Sequence, residues 1–108
     1  MFTPFHEAGA AVAQALPVVD ERGWAVRISV LTRVGCHLCE LALALIDDVS
    51  LSTQVGYAAL DVDLQEPSVR AHLIARYGDQ LPVIFVDGHP HDYWSVDRVR
   101  LQHALTLG

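Results

Sequence analysis

Cys36 and Cys39 are the only two cysteines in the chain, and they stand one helical turn apart in Val34-Gly35-Cys36-His37-Leu38-Cys39. Two sulfurs at that spacing can close a structural bridge, supply half of a metal site, or cycle between dithiol and disulfide. A C-x-x-C at the start of a helix puts the sulfurs within bonding reach without major backbone movement. Unpaired backbone N–H groups there carry partial positive charge and favour a thiolate at Cys36. Arg33, three residues upstream, offers a second cation. His37, beside the first sulfur, either offers a third when protonated or points into water. Cys36 is then the attacking sulfur and Cys39, deeper in the turn, the resolving one. Attack on a disulfide gives a mixed disulfide, and Cys39 releases the reduced partner by closing the internal bridge.

The competing uses of the pair meet obstacles. A structural zinc ion normally takes four ligands, and the chain has no second C-x-x-C. Histidines could complete a set: His37 inside the motif, or His89 and His91, two apart and therefore expected on one strand face. Six histidines scattered through a chain are more often solvated surface, so no metal site is assigned. An inert bridge is disfavoured by the compartment. Ala13-Gln14-Ala15 resembles a cleavage site, but Glu7 precedes the apolar run and no basic residue appears before Arg22. A chain without an export signal is expected in the reducing cytoplasm, where stable structural disulfides are uncommon.

Composition narrows the partners. Of 108 residues, thirteen are acidic and seven basic, a formal net charge of −6, and every basic residue is Arg. That balance, spread along the sequence, disfavours a nucleic-acid backbone. The apolar stretches are cut by Asp, Glu or Arg before they could span a bilayer, so no membrane partner is expected. The length suits one domain with one core.

The elements around the cysteines are legible from pattern. Trp24 to Leu31 is rich in β-branched residues and reads as a buried strand, broken by Thr32-Arg33-Val34-Gly35. From about Cys36, Leu38, Leu41, Ala42, Leu45, Ile46 and Val49 recur at helical spacing. Val55 to Val62 is a second strand, which makes a βαβ unit with a parallel pair and a right-handed crossover. Glu66-Pro67 opens a helix whose stripe is Val69, Leu73, Ile74 and Tyr77 and which stops at Gly78. Leu81 to Val86 is a third strand. The turn dipeptide Asp87-Gly88 predicts an antiparallel return through Tyr93 and Trp94. Ser95 is the expected cap of a closing helix that buries Val96, Val99, Leu101, Ala104 and Leu105. Ala8 to Leu16 suits a short helix ended by Pro17. Residues 1–23 therefore read as an N-terminal extension and 24–108 as the domain.

With its motifs in place, the chain resembles the thioredoxin superfamily, and within it the glutaredoxin-like family of small bacterial proteins. The resemblance covers about Ala25 to Leu107. It rests on "CHLC" at the start of the first long helix, on "LPVIFVDG", and on the order β-α-β-α-β-β-α. It implies an α/β, thioredoxin-like fold with a central mixed four-stranded sheet flanked by helices. It also implies a cis peptide before Pro82, a Pro82 that faces the active site, and a Leu81 backbone that hydrogen-bonds an incoming disulfide. Thioredoxins keep a buried carboxylate where this chain has apolar residues at or near Val30, and a tryptophan where it has Gly35. Arg33 sits where glutaredoxins place a basic residue that helps hold the glutathione carboxylate. The glutaredoxin Gly-Gly-x-x-Asp segment is missing from "DGHPHDYWSVDRV", and the N-terminus of the last helix, near Ser95 and Asp97, is left as a ligand-receiving position.

The expectation is thus a cytoplasmic thiol-disulfide oxidoreductase that needs no bound cofactor. Cys36 and Cys39 do the chemistry, and Arg33, His37, Leu81 and Pro82 line the substrate site. Its partners would be a disulfide-bearing protein or small molecule, and an electron donor: glutathione, another low-molecular-weight thiol, or a flavoprotein reductase. Two alternatives belong to other classes. One is a metal or iron-sulfur carrier using Cys36 and Cys39 from two chains or with histidines. The other is a thioredoxin-fold interaction module with idle cysteines, docking through Tyr93 and Trp94.

Overall fold

The computed structural model describes residues 17–107, so the expected helix over Ala8–Leu16 lies outside the described residues. Strand β1 (Val26–Thr32) is followed by helix α1 (His37–Thr53), strand β2 (Gly56–Asp61) and a 3-10 turn over Val62–Leu64. Helix α2 (Pro67–Tyr77), strands β3 (Val83–Val86) and β4 (His89–Tyr93), and helix α3 (Arg98–Thr106) complete the order. The four strands form one sheet in the order β2-β1-β3-β4. β1 and β2 are parallel, and β1–β3 and β3–β4 are antiparallel, which is the mixed sheet that the element order and the family resemblance together implied. Asp87 and Gly88 join β3 to β4 with φ of 51° and 82°, the paired left-handed conformation that a tight hairpin of right-twisted strands requires.

Strand alternation divides the core in two. Ile28, Val30, Ile84 and Val86 face Ile46 and Val49 of α1 and Leu101 and Leu105 of α3. Leu31, Val83 and Phe85 face the other way, onto Leu73 and Tyr77 of α2, with Cys39 and Leu81 in the same cluster. Val30 is fully buried among apolar side chains.

Several expected details differ. The buried stripe of α1 is Cys39, Ala42, Ile46, Val49 and Ser50, whereas Leu38 and Leu41 are exposed. Cys39 belongs to the buried face, and including it rotates the stripe away from Leu38. In α2 Ile74 is exposed beside the buried Leu73 and Tyr77. In α3 Val99 is exposed because it lies two residues, about 200° of helical turn, from the anchor Leu101. The cap of α3 is Asp97, whose carboxylate accepts the Arg100 N–H at 2.8 Å, and not Ser95. At Ser95 the backbone is still turning: Trp94 has φ 66° and the Ser95 N–H donates to Tyr93 O. Residues 18–23, expected as part of the N-terminal extension, are tied to the domain, since a bridge between Val19 and Ala25 and a Val26 N–H to Val18 O bond fold them back onto the start of β1.

Candidate active site

The turn that ends β1 sets the first sulfur. The Cys36 N–H donates to Arg33 O at 3.4 Å, closing a four-residue turn in which Gly35 has φ 76°, a region that glycine enters without steric cost. Cys36 is then the N-cap of α1. Its Sγ occupies the place usually taken by a serine or aspartate oxygen and accepts the Cys39 N–H at 3.1 Å. Cys36 and Cys39 are joined as a disulfide with Cα atoms 5.2 Å apart. Cys36 is partly exposed, and Cys39 is 2% exposed. Cys36 therefore meets solvent and Cys39 is shielded from it.

Parallel pairing of β1 with β2 sets Thr32 against Asp61 and carries the 3-10 turn up beside Arg33. There the Arg33 guanidinium donates from Nε and one terminal nitrogen to both carboxylate oxygens of Asp63, at 3.0 and 2.9 Å. Hydrogen bonding from Arg33 holds the Asp63 carboxyl below the usual carboxylate range and raises Arg33 in turn. Arg33 thus stands in the turn that leads to Cys36, but its charge is engaged by a neighbour. Asp63 is the residue that sequence reading missed, because only strand register makes the two adjacent.

His37 is 79% exposed and faces Glu40, with Nδ1 3.7 Å from the carboxylate. Leu81 lies in the buried cluster that contains Cys39 and against which Cys36 packs. The Leu81–Pro82 peptide is cis, Pro82 is fully buried, and its carbonyl accepts the Trp94 N–H at 2.9 Å. Among the described residues no backbone hydrogen bond engages the N–H or C=O of Leu81. His89 and His91 do not share a strand face in the expected way. Ile84 pairs with Asp92 and Phe85 with Pro90, which makes His91 the extra residue of a bulge and breaks the two-residue alternation. His89 is exposed, whereas burial pushes the His91 imidazole pKa down and leaves its Nε2 without a hydrogen-bond partner. Among the described residues no three His, Cys, Asp or Glu side chains gather as a metal site. No helix among them is long and apolar enough to cross a membrane.

The family model described as "Glutaredoxin-like domain (DUF836)" matches residues 27–106, from the first strand to the end of α3. The chain belongs to this glutaredoxin-like family. An uncharacterized protein of Mycobacterium tuberculosis (strain ATCC 25618 / H37Rv) is 34% identical over 76 residues, which cover 70% of this chain and 78% of the relative. An uncharacterized protein of Mycobacterium bovis matches to the same extent. The glutaredoxin-like fold recurs in a structural-genomics target from X. campestris, with a TM-score of 0.58 at 23% identity over 75% of this chain and 97% of that one. It recurs also in a Nitrosomonas europaea protein, with a TM-score of 0.59 at 24% identity over 71% and 87% of the two chains. A C-x-x-C disulfide capping the first helix of a glutaredoxin-like domain fits a redox role.

Proposed function

We propose that this glutaredoxin-like domain is a thiol-disulfide oxidoreductase in which Cys36 attacks and Cys39 resolves. The observation that carries this reading is the asymmetry of the pair: a partly exposed Cys36 whose sulfur accepts a backbone N–H at a helix start, above a buried Cys39. The N–H donation and the partial positive charge of the helix terminus stabilise a thiolate more than a thiol. In the reductive direction the Cys36 thiolate attacks one sulfur of the partner's disulfide. A Cys36–partner bond forms as the partner's own S–S bond breaks, and the departing sulfur takes a proton. The Cys39 thiolate then attacks Cys36 Sγ, the internal disulfide closes, and the second partner sulfur leaves and is protonated. The partner gains two electrons and two protons, and the domain has lost the same. An external thiol, glutathione or another of low molecular weight, or a flavoprotein reductase, returns them.

In this reading Leu81 and Pro82 position the partner. The Leu81 backbone groups, which no other backbone group among the described residues engages, suit an extended strand laid beside Cys36, and the reading requires no bound cofactor. Arg33 and His37 border the site, Arg33 with its guanidinium on Asp63 and His37 in water. The test is a redox titration in graded thiol/disulfide buffers, following free thiols by mass-shift labelling, with Cys36→Ser as control. A reversible two-electron transition is expected in the range of thioredoxins and glutaredoxins, roughly −270 to −200 mV. If no reversible intramolecular disulfide forms, the proposal fails.

A further inference from the structure

Four exposed apolar side chains stand at the same end of the sheet as the dithiol. Val34, 77% exposed, is in the turn after β1, and Leu38, 45% exposed, is in the first turn of α1. Leu64, 78% exposed, closes the 3-10 turn after β2, and Trp94, 54% exposed, follows β4. Exposed apolar residues occur elsewhere on the surface, Val99 and Leu107 among them, but these four are brought together by the strand directions. β1, β2 and β4 end at this edge, and β3 begins there with Pro82. Trp94 is pinned in place: its N–H donates to Pro82 O, and its indole N–H to Asp79 O at 2.8 Å. In sheet order the row runs Leu64, then Val34 with Cys36 and Leu38, then, across the buried Pro82, Trp94. Three inter-strand steps of about 4.8 Å make it about 14 Å long, the span of roughly four residues of extended chain.

The charges at this edge are mostly negative. Glu40 in the first turn of α1, Asp61 at the end of β2, Asp63 in the 3-10 turn and Asp79 beside Trp94 belong to this end of the sheet, and the cation nearest Cys36 in sequence, Arg33, is forked onto Asp63. Arg70 also turns toward this residue, with its guanidinium 3.5 Å from Asp63 O. To pair with Arg33, a small thiol with two carboxylates would have to displace Asp63. An extended, uncharged apolar segment meets no such obstacle. Building on the proposed activity of the same site, we infer that the preferred partner is a protein disulfide carried on an apolar segment. On this inference Asp63, by occupying Arg33, determines specificity against small anionic disulfides.

The experiment follows oxidation of the dithiothreitol-reduced, desalted protein by two probes in single turnover. One probe is oxidised glutathione. The other is the symmetrical disulfide of a blocked pentapeptide, acetyl-Leu-Val-Cys-Val-Leu-amide. Each second-order rate is normalised to the rate of the same probe with dithiothreitol. The wild-type chain should react with the peptide probe at least about tenfold faster than with glutathione. Asp63→Asn should raise the glutathione rate about five- to tenfold, the size of a released charge-assisted contact, and that gain should vanish when Arg33→Gln is added. The Val34→Ser, Leu64→Ser double variant should slow the peptide probe several-fold more than glutathione. Equal normalised rates in the wild type, a preference for glutathione, or a gain in Asp63→Asn that survives loss of Arg33 would each overturn the inference while leaving the oxidoreductase reading intact. If neither probe drives formation of the Cys36–Cys39 disulfide, that reading falls, and this inference with it.

Discussion

The backbone N–H of Cys39 donates to Sγ of Cys36 across 3.1 Å, so the two cysteines are linked by a helix cap as well as by a covalent bond. The cap needs only the backbone of α1 and the position of Cys36. It therefore remains available when the disulfide is reduced, and a thiolate accepts such a bond more strongly than a thiol.

Alkylation of the reduced Cys39→Ser variant by iodoacetamide should accordingly stay fast well below about pH 8.5, where an ordinary thiol is half ionised. The measurement is the second-order rate against pH. A profile that tracks free cysteine would remove the cap and the helix terminus from the mechanism.

Gly35 is the hinge that presents Cys36, with φ 76° and open space where a Cβ would stand. Gly35→Ala would meet no clash, so its cost is backbone strain alone, about 1–2 kcal/mol. Urea unfolding should show this loss, and slower Cys36 alkylation should accompany it if the turn also sets the sulfur. An alanine variant as stable as wild type would mean the turn accommodates a side chain.

The cap of α3 distinguishes two nearby residues. Asp97→Ala removes the acceptor of the Arg100 N–H and should cost about 1 kcal/mol, whereas Ser95→Ala should stay within about 0.5 kcal/mol. Comparison of urea midpoints at pH 7 decides, and equal losses would contradict the assigned cap.

Acid should weaken the fold partly through the hairpin turn. Arg27 of β1 donates to both oxygens of Asp87 at 2.8 Å and also to Leu105 O at the end of α3. Hydrogen bonding from Arg27 lowers the Asp87 pKa. The unfolded chain then binds the proton more readily than the folded one. The pair's contribution is complete above the unfolded-state value of about 3.9 and is lost as pH falls through the lower folded value. Wild type should thus exceed Asp87→Asn in stability at pH 7, and the gap should narrow below about pH 4. A gap independent of pH would show that charge at Asp87 is not what stabilises the turn.

Much of this was legible in the residues themselves. The C-x-x-C after a β-branched strand, Pro67 at a helix start, and Asp87-Gly88 between apolar runs each act through local chemistry, and each element stands where its pattern put it. Local pattern failed where two uses of a residue competed. Cys39 serves both as a reactive sulfur and as a member of the buried stripe, and the second use turns α1 and exposes Leu38. Likewise Ser95 and Asp97 are both good caps, and the turn at Trp94 selected between them.

The sequence by itself determined the dithiol, its place at a helix start, and the element order, because spacing, turn chemistry and hydrophobic period are properties of neighbouring residues. Tertiary structure decided what surrounds the dithiol. The pairing of Thr32 with Asp61 brings Asp63 to Arg33 from thirty residues away. The strand directions bring Val34, Leu38, Leu64 and Trp94 to one edge. Such contacts depend on the register and direction of strands distant in the chain, and no local pattern encodes which charge ends beside which.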